Sequence, residues 1–333
     1  MKRLSSLLLG LGVLAVTAVT LIPLSWPIIP RATILAPMAP QAAALTALLA
    51  AWALVARRRK LALLGLLVAA WNAQLIWPDI SPFRPTPGMA AGERVLKVVN
   101  FNIRFKNQRL DAAADYLVAS GADVIGLVEA NARSKAAFLR LKAVYPYSID
   151  CIAADSKCQN MLFSKYPLSN AYAGPIDGRY PFVAMADVLL PDGTSIRIAA
   201  AHVMTPFTRK REPLAAVDPG PAPSFPDAPD LEQSYQAANL AAFLKRQPAD
   251  LVLVGDFNSA SWSPLQRAFR AASGLDNRGH FLPTWPTSVW PILRLPLDPV
   301  FVRGRARIVE LRLGPEVGSD HFPVEAEIAI RPE

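Results

Sequence analysis

The chain has 333 residues, 52% of them hydrophobic, and a net charge of +9. That length allows one large domain or two small ones, and the apolar share is high for a wholly soluble chain. The charge does not by itself indicate a nucleic-acid binder, because residues 1–90 carry +7 and residues 91–333 only +2; the globular part is nearly balanced, and a basic face on it is not implied by the total.

Three uncharged runs open the chain, at residues 5–26, 32–55 and 61–78. A membrane-crossing helix needs about 20 mostly apolar residues. The first two runs meet that length; the third, with Asn72 and Gln74, is marginal. A cleaved signal peptide is the competing reading of the first run, but its apolar stretch exceeds a typical signal core and two further runs follow. Lys2 and Arg3 precede the first run, and Arg57, Arg58, Arg59 and Lys60 separate the second from the third. Only Arg31 lies between the first and second. Basic flanks stay on the cytoplasmic side. Three crossings are therefore expected, with everything from about residue 79 outside the cytoplasmic membrane. Residues 1–78 form the membrane region in this reading. Residues 79–94 (DISPFRPTPGMAAGER), rich in Pro, Gly and Ala, read as a linker, and residues 95–331 form the globular domain.

In the globular part, LKVVNFNI (96–103) predicts a strand. Residues 108–119 place Leu110, Ala113, Ala114 and Leu117 on one helical face. ADVIGLVEA (122–130) predicts a buried strand and 132–143 a second amphipathic helix. Strand-like stretches follow at 159–164, 181–190 and 194–203, the last two joined by the hairpin signal PDGT. Residues 206–230 are a Pro-rich loop opening with Arg209, Lys210 and Arg211, either an exposed insertion or a substrate-facing segment. Helices are expected at 231–246 and 264–273, around a buried strand at 250–258. LDPVFVRG, ARIVELRLG and HFPVEAEIAI close the chain as strands. The mixture implies sheets with helices packed outside them. Cys151 and Cys158, with six residues between them, fall on the exported side. A disulfide closing a short loop is expected there, against the alternative of two free thiols.

Polar residues collect at the ends of the apolar strands: Asn102, Glu129, His202, Asp256, Asn258, Asp298, Asp320 and His321. Singly, each has a local explanation as a turn or cap residue. Together they share the rim of a sheet, where sites on α/β folds form. Asn, Glu and Asp offer oxygen ligands to a hard divalent cation, and two imidazoles offer proton transfer or anion contact. That set suits phosphate-ester hydrolysis. There is no Walker loop and no His-rich zinc motif.

The ordered motifs FNIR, LVEAN, GRYPFVAM, AHVMTP, GDFNS, LDPVFV and GSDHFPVE resemble the endonuclease/exonuclease/phosphatase family over roughly residues 95–330. The resemblance implies a four-layer α/β sandwich of two mixed β-sheets flanked by helices, here preceded by three transmembrane helices. It implies Mg²⁺ or Mn²⁺ as cofactor, with Asn102, Glu129 and Asp320 at the metal. Asp256 would orient or deprotonate the attacking water, and Asn258 would hold that water or a phosphate oxygen. His321, paired with Asp298, would contact phosphate; Arg179 would help to bind it. His202 would serve as leaving-group acid or phosphate contact. Two positions depart from the family pattern: Pro299 stands where a His often follows the Asp298 equivalent, and no carboxylate partner for His202 is evident. Trp285 and Trp290 are either substrate-side aromatics or part of a Pro-stiffened surface loop. The implied activity is a metal-dependent phosphoesterase, acting on nucleic acid or on a lipid or small-molecule ester; a catalytically inactive binding module is the alternative. No protein partner is expected.

Overall fold

The computed structural model describes residues 2–332 apart from 81–89, 91, 153–154, 156, 210–222, 230, 278 and 280–281. The expected linker and the Pro-rich loop, with Lys210 and Arg211, therefore lie largely outside the described residues.

Three long apolar helices come first: α1 (Lys2–Leu21), α2 (Ala39–Val55) and α3 (Arg59–Ile80). Three helical spans, Leu7–Ser25, Pro30–Val55 and Arg59–Asp79, are long and apolar enough to cross a membrane. A 3₁₀ segment, Pro30–Met38, leads into α2. Of the two polar residues in the third run, Gln74 is exposed and Asn72 is internal. Asn72 is buried, and its amide donates to Thr20 Oγ1 on α1 at 2.8 Å and to the Val68 carbonyl at 2.9 Å. A polar group in an apolar bundle is tolerated when a neighbouring helix satisfies it. Gly65 lets α3 approach α2, since a Cβ there would sit 3.0 Å from Ala50 Cβ.

The remaining elements are, in chain order, β1 (Arg94–Asn102), α4 (Leu110–Ala119), β2 (Val124–Val128), α5 (Ala132–Ala137), β3 (Tyr147–Asp150), β4 (Met161–Ser164), β5 (Leu168–Ile176), β6 (Arg179–Leu189), β7 (Ser195–His202), α6 (Glu232–Lys245), β8 (Leu251–Asp256), α7 (Pro264–Ser273), β9 (Val300–Arg303), β10 (Ala306–Leu313) and β11 (Val324–Ile330). They build a six-stranded sheet, β10-β11-β1-β2-β4-β3, and a five-stranded sheet, β5-β6-β7-β8-β9. Both are mixed: β1 pairs β2, and β7 pairs β8, in parallel, and the other pairs are antiparallel.

Strand periodicity sorts the apolar residues into layers. Leu96 and Val98 of β1 join Ile196, Ile198, Val252 and Val254 of the other sheet between the two sheets. Val99 and Phe101 of β1 face outward with Ala113, Ala114 and Leu117 of α4. Ala199, Leu251 and Leu253 face Leu240 and Leu244 of α6 and Phe269 of α7. The result is helix, sheet, sheet, helix.

Three local readings differ from the sequence expectation. The helix at 132–143 is a short α5 followed by a 3₁₀ turn, Phe138–Ala143. β3 and β5 were not foreseen. Both are edge strands; most of β5 is exposed or half-buried, so neither carries the alternation that marks a half-buried strand. Cys151 and Cys158 form a disulfide beside Phe182, with Cα atoms 5.6 Å apart.

The globular domain docks onto one end of the helices. The Trp262 indole donates to the Ala36 carbonyl at 2.8 Å and packs on Ala39 and Ile76. Buried Asp79 accepts from Ser261 Oγ and lies 3.7 Å from Arg270. The Gln41 amide donates to the carbonyls of Ile292 and Arg294. All these groups lie at the end of the bundle opposite Arg57–Lys60.

Candidate active site

The same periodicity that builds the inter-sheet core delivers the polar residues. On β1, Asn102 follows Leu96, Val98 and Asn100 on the inner face. On β7, His202 follows Ile196, Ile198 and Ala200; on β8, Asp256 follows Val252 and Val254. His202 and Asp256 are direct partners in the parallel β7–β8 ladder, and Asn102 is the partner of Val128, one residue before Glu129. The C-terminal ends of two parallel strand pairs therefore meet at one edge of the sandwich. Glu129 and Asn258 leave their strands in the left-handed region, with φ of 56° and 48°. Such backbone is uncommon outside glycine and clusters at functional sites. Gly255 lets β8 lie against β7 just before Asp256, since a Cβ there would strike the Ala201 carbonyl.

Asn102 is the centre of the arrangement. Its amide nitrogen donates to Glu129 Oε1 and to Asp256 Oδ2, each at 3.0 Å, and its oxygen accepts from the Arg104 N–H. The Phe105 N–H reaches Glu129 Oε2 at 3.2 Å. The Asn258 N–H donates to Asp256 Oδ1 at 2.7 Å, and the Asn258 amide lies 3.2 Å from His202 Nε2. His202 Nε2 is 3.9 Å from both Glu129 and Asp256. His321 Nδ1 pairs with Asp298 Oδ2 at 2.7 Å, and its Nε2 lies 3.6 Å from Asp256.

Electrostatics follow from this crowding. Burial, then the neighbouring Asp298 charge, push the Asp256 carboxyl up to about 8. Burial opposes the charged form of His321, but Asp298 and Asp256 outweigh it and push the imidazole up to about 10. Burial also raises Glu129, yet the His202 imidazole, the Asn102 amide and the Phe105 N–H outweigh it, and its carboxyl lies below the ordinary value. Asp298 Oδ1 is buried without a hydrogen-bond partner among the described residues. An oxygen-rich cluster of this kind fits a divalent cation. Glu129, His202 and Asp256 place ligand atoms within 4.8 Å of one another, as do Asp256, Asp298 and His321.

Seven of the expected residues are thus brought together: Asn102, Glu129, His202, Asp256, Asn258, Asp298 and His321. Asp320 is placed differently. Its carboxylate is 3.6 Å from Arg104 Nε, and it belongs to neither cluster of potential metal ligands. The 318–321 bend turns neighbouring side chains apart, so His321 enters the buried centre while Asp320 stays half-exposed. Arg179 opens β6 on the same sheet edge as His202, because Val183 pairs with Ala201. Pro299 directs its carbonyl toward the Asn100 amide at 3.5 Å.

Sequence reasoning passed over two supporting residues. Asn100 is fully buried and its amide ties β1 to the Gly255 carbonyl across the sheets at 2.9 Å; an Asn inside a β-branched run, in phase with Asn102, was its signal. Ser319 donates to the Asn102 carbonyl and accepts from the His321 N–H, pinning the bend onto β1. Nothing local marks that serine. Trp285 lies 6.3 Å from the His321 ring, whereas Trp290 is 80% exposed.

Comparison with known proteins agrees with this architecture. The model of the Endonuclease/Exonuclease/phosphatase family matches residues 99–321. Among solved structures, an endonuclease/exonuclease/phosphatase from Bacteroides vulgatus superposes with a TM-score of 0.54 at 14% identity, covering 72% of this chain and 100% of that one. A protein of the same description from Beutenbergia cavernae gives 0.53 at 15% identity, covering 72% of each chain. The human Nocturnin catalytic domain gives 0.51 at 15% identity, covering 72% of this chain and 97% of that one. No curated protein matches by sequence. At these identities the solved structures speak for the fold alone, while the family match spans most of the sandwich and both ends of the polar cluster. The chain belongs to the endonuclease/exonuclease/phosphatase family of phosphate-ester hydrolases.

Proposed function

We propose that this protein is a divalent-metal-dependent phosphoesterase held in the cytoplasmic membrane, with its site on the extracytoplasmic side. The observation that carries the reading is Asn102, which bonds Glu129 and Asp256 at once while both imidazoles lie within 3.9 Å of Asp256. In this reading residues 1–78 are the membrane region, 79–94 the linker and 95–331 the catalytic domain.

Glu129, with Asn102 beside it, would hold a Mg²⁺ or Mn²⁺ ion, and Asp320 would join it through the Arg104 side of the site. When bound, the cation neutralises phosphate charge. Asp256, a better base because burial raises its carboxyl, takes a proton from the attacking water. Asn258 holds that water or a phosphate oxygen. Protonated His321, oriented by Asp298, donates to a phosphate oxygen from Nε2. His202 supplies the proton to the departing oxygen, and Arg179 adds a cationic contact to the phosphate. Water adds to phosphorus, the bond from phosphorus to the leaving oxygen breaks, and that oxygen leaves protonated.

The test is hydrolysis of bis-p-nitrophenyl phosphate by the full chain in detergent. We expect activity with Mg²⁺ that EDTA removes and added Mg²⁺ restores. Asp256→Ala and His321→Ala should each lower it by roughly 10²–10⁴ with the circular dichroism spectrum unchanged. Near-normal turnover in both variants overturns the assignment, and a folded but inert wild type returns the binding-module reading.

A further inference from the structure

A cavity of about 260 Å³ adjoins the catalytic cluster, and part of its wall comes from the membrane region. On one side stand Thr33, Ile34 and Pro37 of the 3₁₀ segment that links the first two apolar helices; on the other stand Phe207, Trp285 and Leu297 of the globular domain. Asn258 lines it too, and the Asn258 N–H holds Asp256. Trp285 flanks both the cavity and the His321 ring. The cavity therefore runs from the reacting centre toward the apolar helices, and its lining is predominantly hydrocarbon.

Its surroundings indicate what fills it. The cavity lies at the docked end of the helix bundle, where Trp262, Asp79 and Gln41 fasten the domain in one orientation. Beside Gln41 the domain exposes Trp290, Ile292 and Leu293, and Phe207 is 63% exposed at the cavity itself. Exposed tryptophan and aliphatic side chains next to the end of membrane-length helices match a surface resting at the bilayer–water boundary. A site shaped only for a polar phosphate ester has no use for an apolar chamber that Asn258 itself lines. The volume, just under the roughly 300 Å³ of the smallest common ligand sites, suits one hydrocarbon segment rather than a whole ligand.

We propose that this cavity seats the hydrocarbon portion of a membrane-resident phosphate ester, making amphiphilic lipid phosphoesters the substrate class. The proposal rests on the phosphoesterase reading above and narrows it. The phosphate sits among Asn258, His321 and Asp256 while the adjoining chain lies against Ile34, Trp285 and Leu297.

The experiment compares methyl p-nitrophenyl phosphate with hexyl p-nitrophenyl phosphate, on the full chain in nanodiscs with Mg²⁺. Each methylene moved from water into an apolar site contributes a factor of about four, so seating two of them predicts roughly a fifteenfold higher kcat/KM for the hexyl ester. Ile34→Asp should erase most of that preference and leave the methyl ester within about twofold; Phe207→Ser, at a position 63% exposed, should reduce it in part. Equal rates for the two esters, or a preference that both variants leave intact, overturn the proposal. Absence of hydrolysis of either ester means that the phosphoesterase reading has failed instead. The cavity is then judged by photolabelling with an alkyl phosphate bearing a diazirine in its chain. Labelled peptides spanning 33–37 or 285–297, protected by hexyl phosphate but not by inorganic phosphate, support the seat, and labels elsewhere overturn it.

Discussion

Asp298 illustrates how a single carboxylate serves a neighbour. It holds His321 Nδ1 at 2.7 Å and is itself almost wholly buried. Asp298→Asn keeps the shape but removes the charge that favours the imidazolium. Turnover should fall by roughly one to two orders of magnitude, less than for His321→Ala, as measured by kcat against bis-p-nitrophenyl phosphate. A second pair, away from the site, governs acid stability. Arg197 of β7 grips Asp187 of β6 with two bonds, at 2.6 and 2.7 Å, between directly paired strand positions. Burial raises the Asp187 carboxyl, but the bonds from Arg197 and Asn170 outweigh it and hold it below its usual 3.8. A depressed carboxyl stabilises the fold fully above its unfolded value and loses that contribution as pH falls through the folded value. The wild type should therefore melt higher than Asp187→Asn at pH 6, and the two melting temperatures should converge as the pH is lowered below about 4.

At the level of elements, the spacing between the two sheets decides where the site can form. Gly126 of β2 faces Val254 and Ala200 across the core, and a Cβ there would collide with the Val254 side chain. Two residues on from Asn100 beside it, and from Ala200 and Val254 opposite it, stand Asn102, His202 and Asp256. Gly126→Ala should force the sheets apart, cost about 1–3 kcal/mol in denaturant unfolding, and reduce activity more than that loss of stability alone would. The helices are more autonomous. α7 begins at Ser263, whose hydroxyl accepts the Gln266 N–H, and ends at Gly274 in the left-handed region with φ of 72°. These are the start and stop signals that a sequence displays, and the predicted and observed bounds of that helix coincide. The edge strands β3 and β5 show the opposite case, since a strand that buries little has no pattern to display.

Across the whole molecule, the helices and the sandwich behave as one assembly rather than as a domain on a tether. The groups that hold them together are Ala36, Gln41 and Asp79 on one side and Trp262, Ser261, Arg270 and the carbonyls of Ile292 and Arg294 on the other. Arg57–Lys60 lie at the far ends of α2 and α3. The proposed orientation keeps that basic loop in the cytoplasm and has the sandwich outside. Alkaline phosphatase fused after residue 333 should be active in a bacterial host and green fluorescent protein at the same place dark; the reverse pattern refutes the orientation.

By itself the sequence determined the apolar helices, the layered class of the fold, the strand-end polar residues and the cysteine pair. Each is written in local terms: run length, period-two or 3.6-residue spacing, and ordered short motifs. Only the tertiary structure decided which of those polar residues meet. Asn102 and Asp256 are 154 positions apart in the chain, yet share a hydrogen bond because two parallel strand pairs end at one edge. Asp320 and His321 are adjacent in sequence, yet one bend sends the first to Arg104 and the second to Asp298. The cavity beside Asn258 was likewise invisible, because its walls come from residues 33–37 and from segments beyond residue 204. Side-chain direction and long-range packing depend on how the sheets stack, and no local pattern encodes them.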